Sequence, residues 1–358
     1  MDWITIQLDI LDRLAVYSFV EELIEVLFDF SGVELFWKIV DTFESKHNPQ
    51  EELWHTLFNS PGYSALTKSE FSQEKLQNAM SIALDPKRAI EAHFSQDASI
   101  GGIVSHFQEV VKRRMELETL FDELKGKSAN IETDIFDLVV EYLPSNIEYP
   151  SLDIAFVFFQ RDARGYEWVV IDGLLALELD SQLLTRLIAH EYHHQCRDSI
   201  LCYDKEIVRP EDQDLMWVLN QTQAEGIADN IDKPRWFYGE NPVDAYTEFV
   251  QAYRDEVTVA ETTLQSIDLI IETGVLEGYY REEIGKEVRE HLPMSGHPIG
   301  YHMTQIISKA NLFGEMIETL GNPFEFFRLY NRALLILKKD GLSESTLFIL
   351  DDLETRYC

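Results

Sequence analysis

Two histidines separated by three residues, with a glutamate beside the first, constrain this chain more than anything else in it: His190-Glu191-Tyr192-His193-His194. On an α-helix that spacing stacks the imidazoles of His190 and His194 one turn apart, as a tetrahedral zinc ion and its activated water require. The neighbouring residues support the helix. Asp180 and Ser181 offer capping oxygens, no Gly or Pro interrupts the chain from Gln182 to Arg209, and Leu183, Leu184, Leu187 and Ile188 recur at helical spacing. His190 and His194 extend the stripe of Leu183 and Leu187, while Glu191 extends that of Leu184 and Ile188, so three polar groups fall on the buried side. Burying such groups without partners costs roughly 2–7 kcal/mol each when neutral and more when charged, and a cation among them is the simplest resolution. His193 points off this face and is expected at the surface.

A second helix supplies a third ligand. Pro210, Glu211 and Asp212 make a helix opening, and Leu215, Val218, Leu219 and Thr222 mark an inner face. Continuing that face reaches Glu225 and, one turn on, Asp229, acids where apolar residues are expected. Glu225 would close a His-His-Glu site with the fourth position open to water, and Asp229 would accept the second N–H of a liganding imidazole. Gly226 and Ala228 would let this helix approach the first closely. The plainer alternative, two half-buried acids paired with Arg or Lys, leaves the histidine pair unexplained.

His-Glu-x-x-His followed on a later helix by Glu-x-x-x-Asp resembles the gluzincin metallopeptidases, the thermolysin-like enzymes. The strings Ala189 to His194, Glu225 to Asp229 and Gly296-His297-Pro298-Ile299-Gly300-Tyr301 are closer still to an uncharacterised bacterial family described as zinc-dependent peptidases. The likeness covers roughly residues 150–310. It implies that His190, His194 and Glu225 bind Zn2+, that Glu191 is the general base and that Asp229 supports a ligand. The 31 positions from His194 to Glu225 exceed the thermolysin-like spacing, which leaves the rim of the cleft, near Cys196, Cys202 and Tyr203, undefined.

An amide hydrolase of this kind also needs a donor for the oxyanion of its tetrahedral intermediate. The segment Ser295 to His302 is the best source: a glycine-flanked entry to a helix beginning near Gly300, carrying His297, Tyr301 and His302. His297 or Tyr301 would face the metal; an ordinary capped loop is the alternative. Upstream, Asp153–Gln160 and Tyr166–Leu177 read as two strands around the turn Arg161–Gly165, and an edge strand there would pair with an extended peptide. Helical stripes cover Leu8–Phe28, Val33–Thr42, Glu74–Leu84, Ile103–Leu124 and Ile131–Leu143, then Val243–Leu276, Gly300–Leu320 and Pro323–Leu337, with a last helix near the C-terminus. The expected fold is therefore α+β and mainly helical. It comprises a helical N-terminal lobe (1–148) and a zincin-like catalytic domain (149–358), whose small β-sheet precedes the His-Glu-x-x-His helix.

A net charge of −34, from 64 acidic and 30 basic residues, argues against nucleic acid or an anionic membrane as partner. Met1-Asp2 opens an acidic amphipathic stretch without a basic leader, and no apolar run is long enough to span a bilayer. With three cysteines, Cys196, Cys202 and Cys358, these features suggest a reducing, cytoplasmic setting without a disulfide framework. Cys196 reads as a core or surface thiol rather than a ligand. The aromatic run Trp236-Phe237-Tyr238-Gly239 either walls the cleft or, the plainer reading, pins a loop. The favoured function is hydrolysis of peptide or protein substrates; the alternative is an inactive zinc-stabilised binding or regulatory protein, and a third is a non-peptide amidase on the same scaffold. Glu191 favours an enzyme, because metal retention alone needs no general base. Oligomeric state is not legible.

Overall fold

A computed structural model describes residues 26–85, 88, 98–126, 128–239 and 243–358. Most of the helix expected over Leu8–Phe28 lies outside these residues; the described end of that stretch is a strand. Two compact units are present, residues 1–132 with 148–177, and residues 133–147 with 178–358. This differs from a single division at 148/149, because the strands group with the N-terminal helices.

The first unit contains β1 (Leu27–Asp29), α1 (Ser31–Glu44), α2 (Glu51–Phe58), α3 (Pro61–Ser69), α4 (Gln73–Leu84), α5 (Ala98–Lys112) and α6 (Arg114–Lys125). The unit boundary falls within α7 (Ser128–Val139), and the strands β2 (Asp153–Val157), β3 (Ala163–Gly165) and β4 (Val169–Asp172) follow. Their order is β1-β2-β4-β3, with Leu27 opposite Asp153 and Ile154 opposite Val169 in parallel pairs, and Ala163 opposite Ile171 in an antiparallel one. The expected hairpin about residues 161–165 is thus corrected. β2 and β4 are parallel neighbours, and the tight turn lies between β3 and β4, where Tyr166 N–H donates to Trp168 O at 3.0 Å. Burial explains the difference: β4 and all of β2 beyond Asp153 are covered on both faces, as interior parallel strands are. Gly32 of α1 and Gly62 of α3 seat those helices on β2, for a Cβ at either would lie 2.9 or 2.6 Å from Val157 Cγ1. Asp172 ends β4 by accepting from His106 Nε2–H (2.8 Å) and from the backbone N–H of Phe159, Leu174 and Leu175, which starts α8 (Gly173–Glu178) where a longer strand was expected.

The second unit is built from α9 (Ser181–Ser199), α10 (Gln213–Trp236), α11 (Thr247–Glu277), α12 (Arg281–His291), α13 (His297–Lys309), α14 (Phe313–Glu318), α15 (Pro323–Ile336) and α16 (Glu344–Tyr357). α10 is its axis and packs against α9, α12, α13 and α15. Gly226 makes the closest approach possible, but to α13 rather than to α9 as expected: a Cβ there would collide with the backbone of Gly300, and one on Gly300 with Thr222 O. Two expected helices are each split, Ile103–Leu124 at Arg113 and Gly300–Leu320 at Asn311, whose φ is +60°.

Cys202 and Cys358 are joined in a disulfide with their Cα atoms 5.3 Å apart, which corrects the expectation of three reduced thiols; Cys196 is free and buried. The link follows from how α16 is anchored. Asp212, fully buried, accepts from Arg356 (2.7 Å), the Tyr357 hydroxyl (2.7 Å) and Arg281 (3.3 Å), so the last residues are held beside the connection between α9 and α10. No helix among the described residues is long and apolar enough to cross a membrane.

Candidate metal centre

α9 forms where its sequence indicates. The Asp180 carboxylate accepts from Leu183 N–H at 2.8 Å, and Leu183, Leu184, Leu187 and Ile188 are buried, so the next turns carry His190 and His194 inward. α10 presents Glu225, Asp229 and Asp232 at i, i+4 and i+7, one stripe on the face turned to α9 and α13. α13 begins earlier than expected, at His297 rather than near Gly300. Met294, Ser295 and Gly296 enter it at φ of 46°, 54° and 94°, three successive left-handed residues that set His297 in the first turn. Two of the three are not glycine, so this entry stores strain that the surrounding packing must hold.

Three side chains converge. His190 Nε2 and His194 Nε2 are 3.1 Å apart, and Glu225 Oε2 lies 3.4 Å from the first and 3.2 Å from the second. Tetrahedral coordination with metal–ligand bonds of about 2.0–2.1 Å separates ligand atoms by about 3.3–3.4 Å, so this triangle has the size of one face of a zinc tetrahedron. Among the described residues Glu225 Oε2 is buried without a hydrogen-bond donor, although three imidazole nitrogens surround it; the third is His297 Nε2 at 3.4 Å. A bare buried carboxylate oxygen beside the Nε2 atoms of His190 and His194 fits a cation between the three.

The rings of His190 and His297 are held from behind, and here the expectation for Asp229 is corrected. His190 Nδ1 faces Asp232 Oδ1 at 3.1 Å, whereas Asp229 Oδ1 is 3.8 Å from it. Asp229 instead holds His297 Nδ1 (3.0 Å) and accepts from the Tyr253 hydroxyl (2.8 Å). Lys233, buried with its ammonium over the Trp236 and Phe237 rings, lies 2.7 Å from Asp232 and 3.4 Å from Asp229. The carboxylates of Glu225, Asp229 and Asp232 outnumber the Lys233 ammonium among these groups, an acidic excess that favours a cation. Other acid and histidine groupings in the same cluster run through Asp229 and Asp232, beside which Lys233 already sits.

The electrostatics agree. Burial opposes ionisation of Glu225, yet the neighbouring His297 and His194 hold its carboxyl well below the usual carboxylate range. Burial likewise opposes charging His190, but Asp232 raises its pKa well above the ordinary value; for His297 burial is outweighed by Glu225 and Asp229, again upward. Asp232, despite burial, is brought down to about 2 by Lys233 and His190.

Glu191 sits on α9 between the ligand-bearing turns, 8% exposed, with no hydrogen bond or ion pair to any described residue. Tyr301, one turn beyond His297, stacks on Tyr238 with ring centres 6.2 Å apart and makes no hydrogen bond with the cluster among the described residues. His302 is on another side of α13, its Nε2 buried without a partner. His193, expected at the surface, is fully buried, with Nε2 3.2 Å from Tyr142 O; burial holds its pKa well below the ordinary value, so it stays neutral. Of the aromatic run, Phe237 is buried against Tyr253 and Tyr238 is exposed. Asp232, Lys233 and Tyr253 were missed from sequence. The i, i+4, i+7 acid stripe was a usable signal for Asp232; nothing marked Lys233 or Tyr253.

The chain belongs to the family described as "Putative zinc dependent peptidase (DUF5700)", whose model matches residues 54–339. No curated protein and no solved structure matches it.

Proposed function

We propose that the chain is a gluzincin-type zinc metallopeptidase acting on peptide or protein substrates, with His190, His194 and Glu225 as ligands and Glu191 as general base. The observation that carries this reading is the triangle of His190, His194 and Glu225 ligand atoms, with edges of 3.1–3.4 Å drawn from two adjacent helices. When bound, zinc supplies a Lewis acid that lowers the pKa of water to about 7 and polarises the scissile carbonyl. Glu191 receives the water proton and returns it to the leaving nitrogen. Its position next to His190, without a competing partner, suits that transfer. Protonated at both ring nitrogens, the form that Glu225 and Asp229 favour, His297 donates from Nε2 to the developing oxyanion, and Asp229, itself fixed by Tyr253, sets the ring orientation through Nδ1. Asp232 and Lys233 hold the His190 ring from behind.

Zinc analysis and cleavage of a mixed peptide library by the wild type and Glu191→Gln test the proposal together. Zinc retained in both proteins, with cleavage by the wild type alone, is the expected result. Stoichiometric zinc without cleavage by either would replace the peptidase with a zinc-stabilised binding protein.

A further inference from the structure

The longest helix, α11, leaves one face without a partner in its own unit. None of the eight exposed positions between residues 257 and 276 carries a charge, in a chain whose net charge is −34. Six of them, Val259, Thr262, Ser266, Leu269, Thr273 and Leu276, follow one another at intervals of three, four, three, four and three, the spacing of a seam that meets another helix. The seam spans about 26 Å at 1.5 Å per residue. Two of the three acids within the stretch turn elsewhere: Glu261 pairs with Lys339 beyond α15 at 2.6 Å, and Asp268 accepts from the Ser343 hydroxyl (2.9 Å) and the Thr346 hydroxyl (2.6 Å) at the start of α16. Those two neighbours also expose large apolar side chains, Leu335 and Ile336 on α15 and Phe348 on α16. Concentrated exposed apolar surface of this kind marks an association site.

We infer that this face joins two copies of the chain, α11 against α11, antiparallel about a two-fold axis. Charge selects the occupant. Most other surfaces of so acidic a molecule would set carboxylate against carboxylate, whereas the six seam positions meet their own copy with no charge among them. Spacing selects the orientation. Reversed on itself, the seam sets Val259 against Leu276, Thr262 against Thr273 and Ser266 against Leu269, so each position finds a counterpart, and the small Ser and Thr residues permit close approach. Glu256, Glu272 and Glu277 flank the seam, so added salt screens their mutual repulsion and strengthens the dimer. A foreign basic helix attracted by the same acids would bind less well as salt rises.

Sedimentation equilibrium of the full chain across a salt series, with Leu269→Glu alongside, reads the inference. The expected result is a dimer that tightens with salt and is weakened at least about tenfold by the buried like charges of the variant. A mixture of Val259→Cys and Leu276→Cys proteins should cross-link between the two variants, while Val259→Cys alone should not. A monomer at every salt concentration, a dimer indifferent to Leu269→Glu, or cross-linking of Val259→Cys to itself overturns it. The first of these outcomes leaves the face to a different protein.

Discussion

Among single residues, the proposal gives Glu191 and Asp232 different jobs, so they should fail differently. Glu191→Gln keeps a neutral oxygen donor in place but removes the base, so turnover should fall about 10²–10⁴-fold with zinc affinity little changed, read by single-turnover kinetics and chelator competition. Asp232→Asn weakens the grip on His190 Nδ1 and should cost about 10–100-fold in zinc affinity in the same competition assay; equal affinity would remove Asp232 from the centre. The pH dependence of the metal-free protein follows from His190. Its folded pKa is raised, so its contribution to stability is complete below the unfolded value of about 6.5 and is lost as pH rises through the higher folded value. Thermal melts should therefore show zinc stabilising the fold more at alkaline pH than below about pH 6.5, with protons released on binding. The convergence of His190, His194 and Glu225 was legible because each is a polar residue at a position where helical periodicity demands an apolar one; Glu191 meets the same criterion, and its role belongs to the proposal. His193 misled because the same periodicity says only which face a side chain leaves, not whether another segment, here the Tyr142 carbonyl, covers it.

For the helices and strands, the determining contact is the crossing of α10 and α13 at Gly226 and Gly300, which brings the Glu225 and His297 side chains together. Gly226→Ala inserts a methyl group into the Gly300 backbone and should destabilise the fold by about 1–3 kcal/mol, seen as a lower midpoint in denaturant, and reduce zinc occupancy as the helices part. Undiminished stability would mean that the crossing is looser than described. α9 and α10 were readable because a cap or a proline lies at or just before the start of each and apolar residues recur at helical spacing, although both helices are buried on more than one face. The sheet was not. Strands buried on both faces carry no alternation, and β3 occupies residues that look like a turn, so pairing direction had to come from the packing of α1 and α3 on Val157. The break at Arg113 carries neither glycine nor proline, so no local residue announced it.

Across the whole molecule, cysteine count pointed to a reducing compartment, while the folded chain brings Cys202 and Cys358 together across 156 positions. Such a separation is invisible to local sequence patterns, and disulfides persist mainly in oxidising compartments. Reduction, or Cys202→Ser, should lower stability by about 2–4 kcal/mol with the zinc site intact, measured by melting with and without reductant; unchanged melting would show that the link contributes nothing. The central claim, however, is convergence of residues from α9 and α10 on one cation, and zinc stoichiometry tests it most directly. Wild-type protein dialysed against zinc should retain about one equivalent per chain, and His190→Ala and Glu225→Ala should each lose it while remaining folded. Full zinc retention by Glu225→Ala, or a folded wild type that takes up none, would contradict the account.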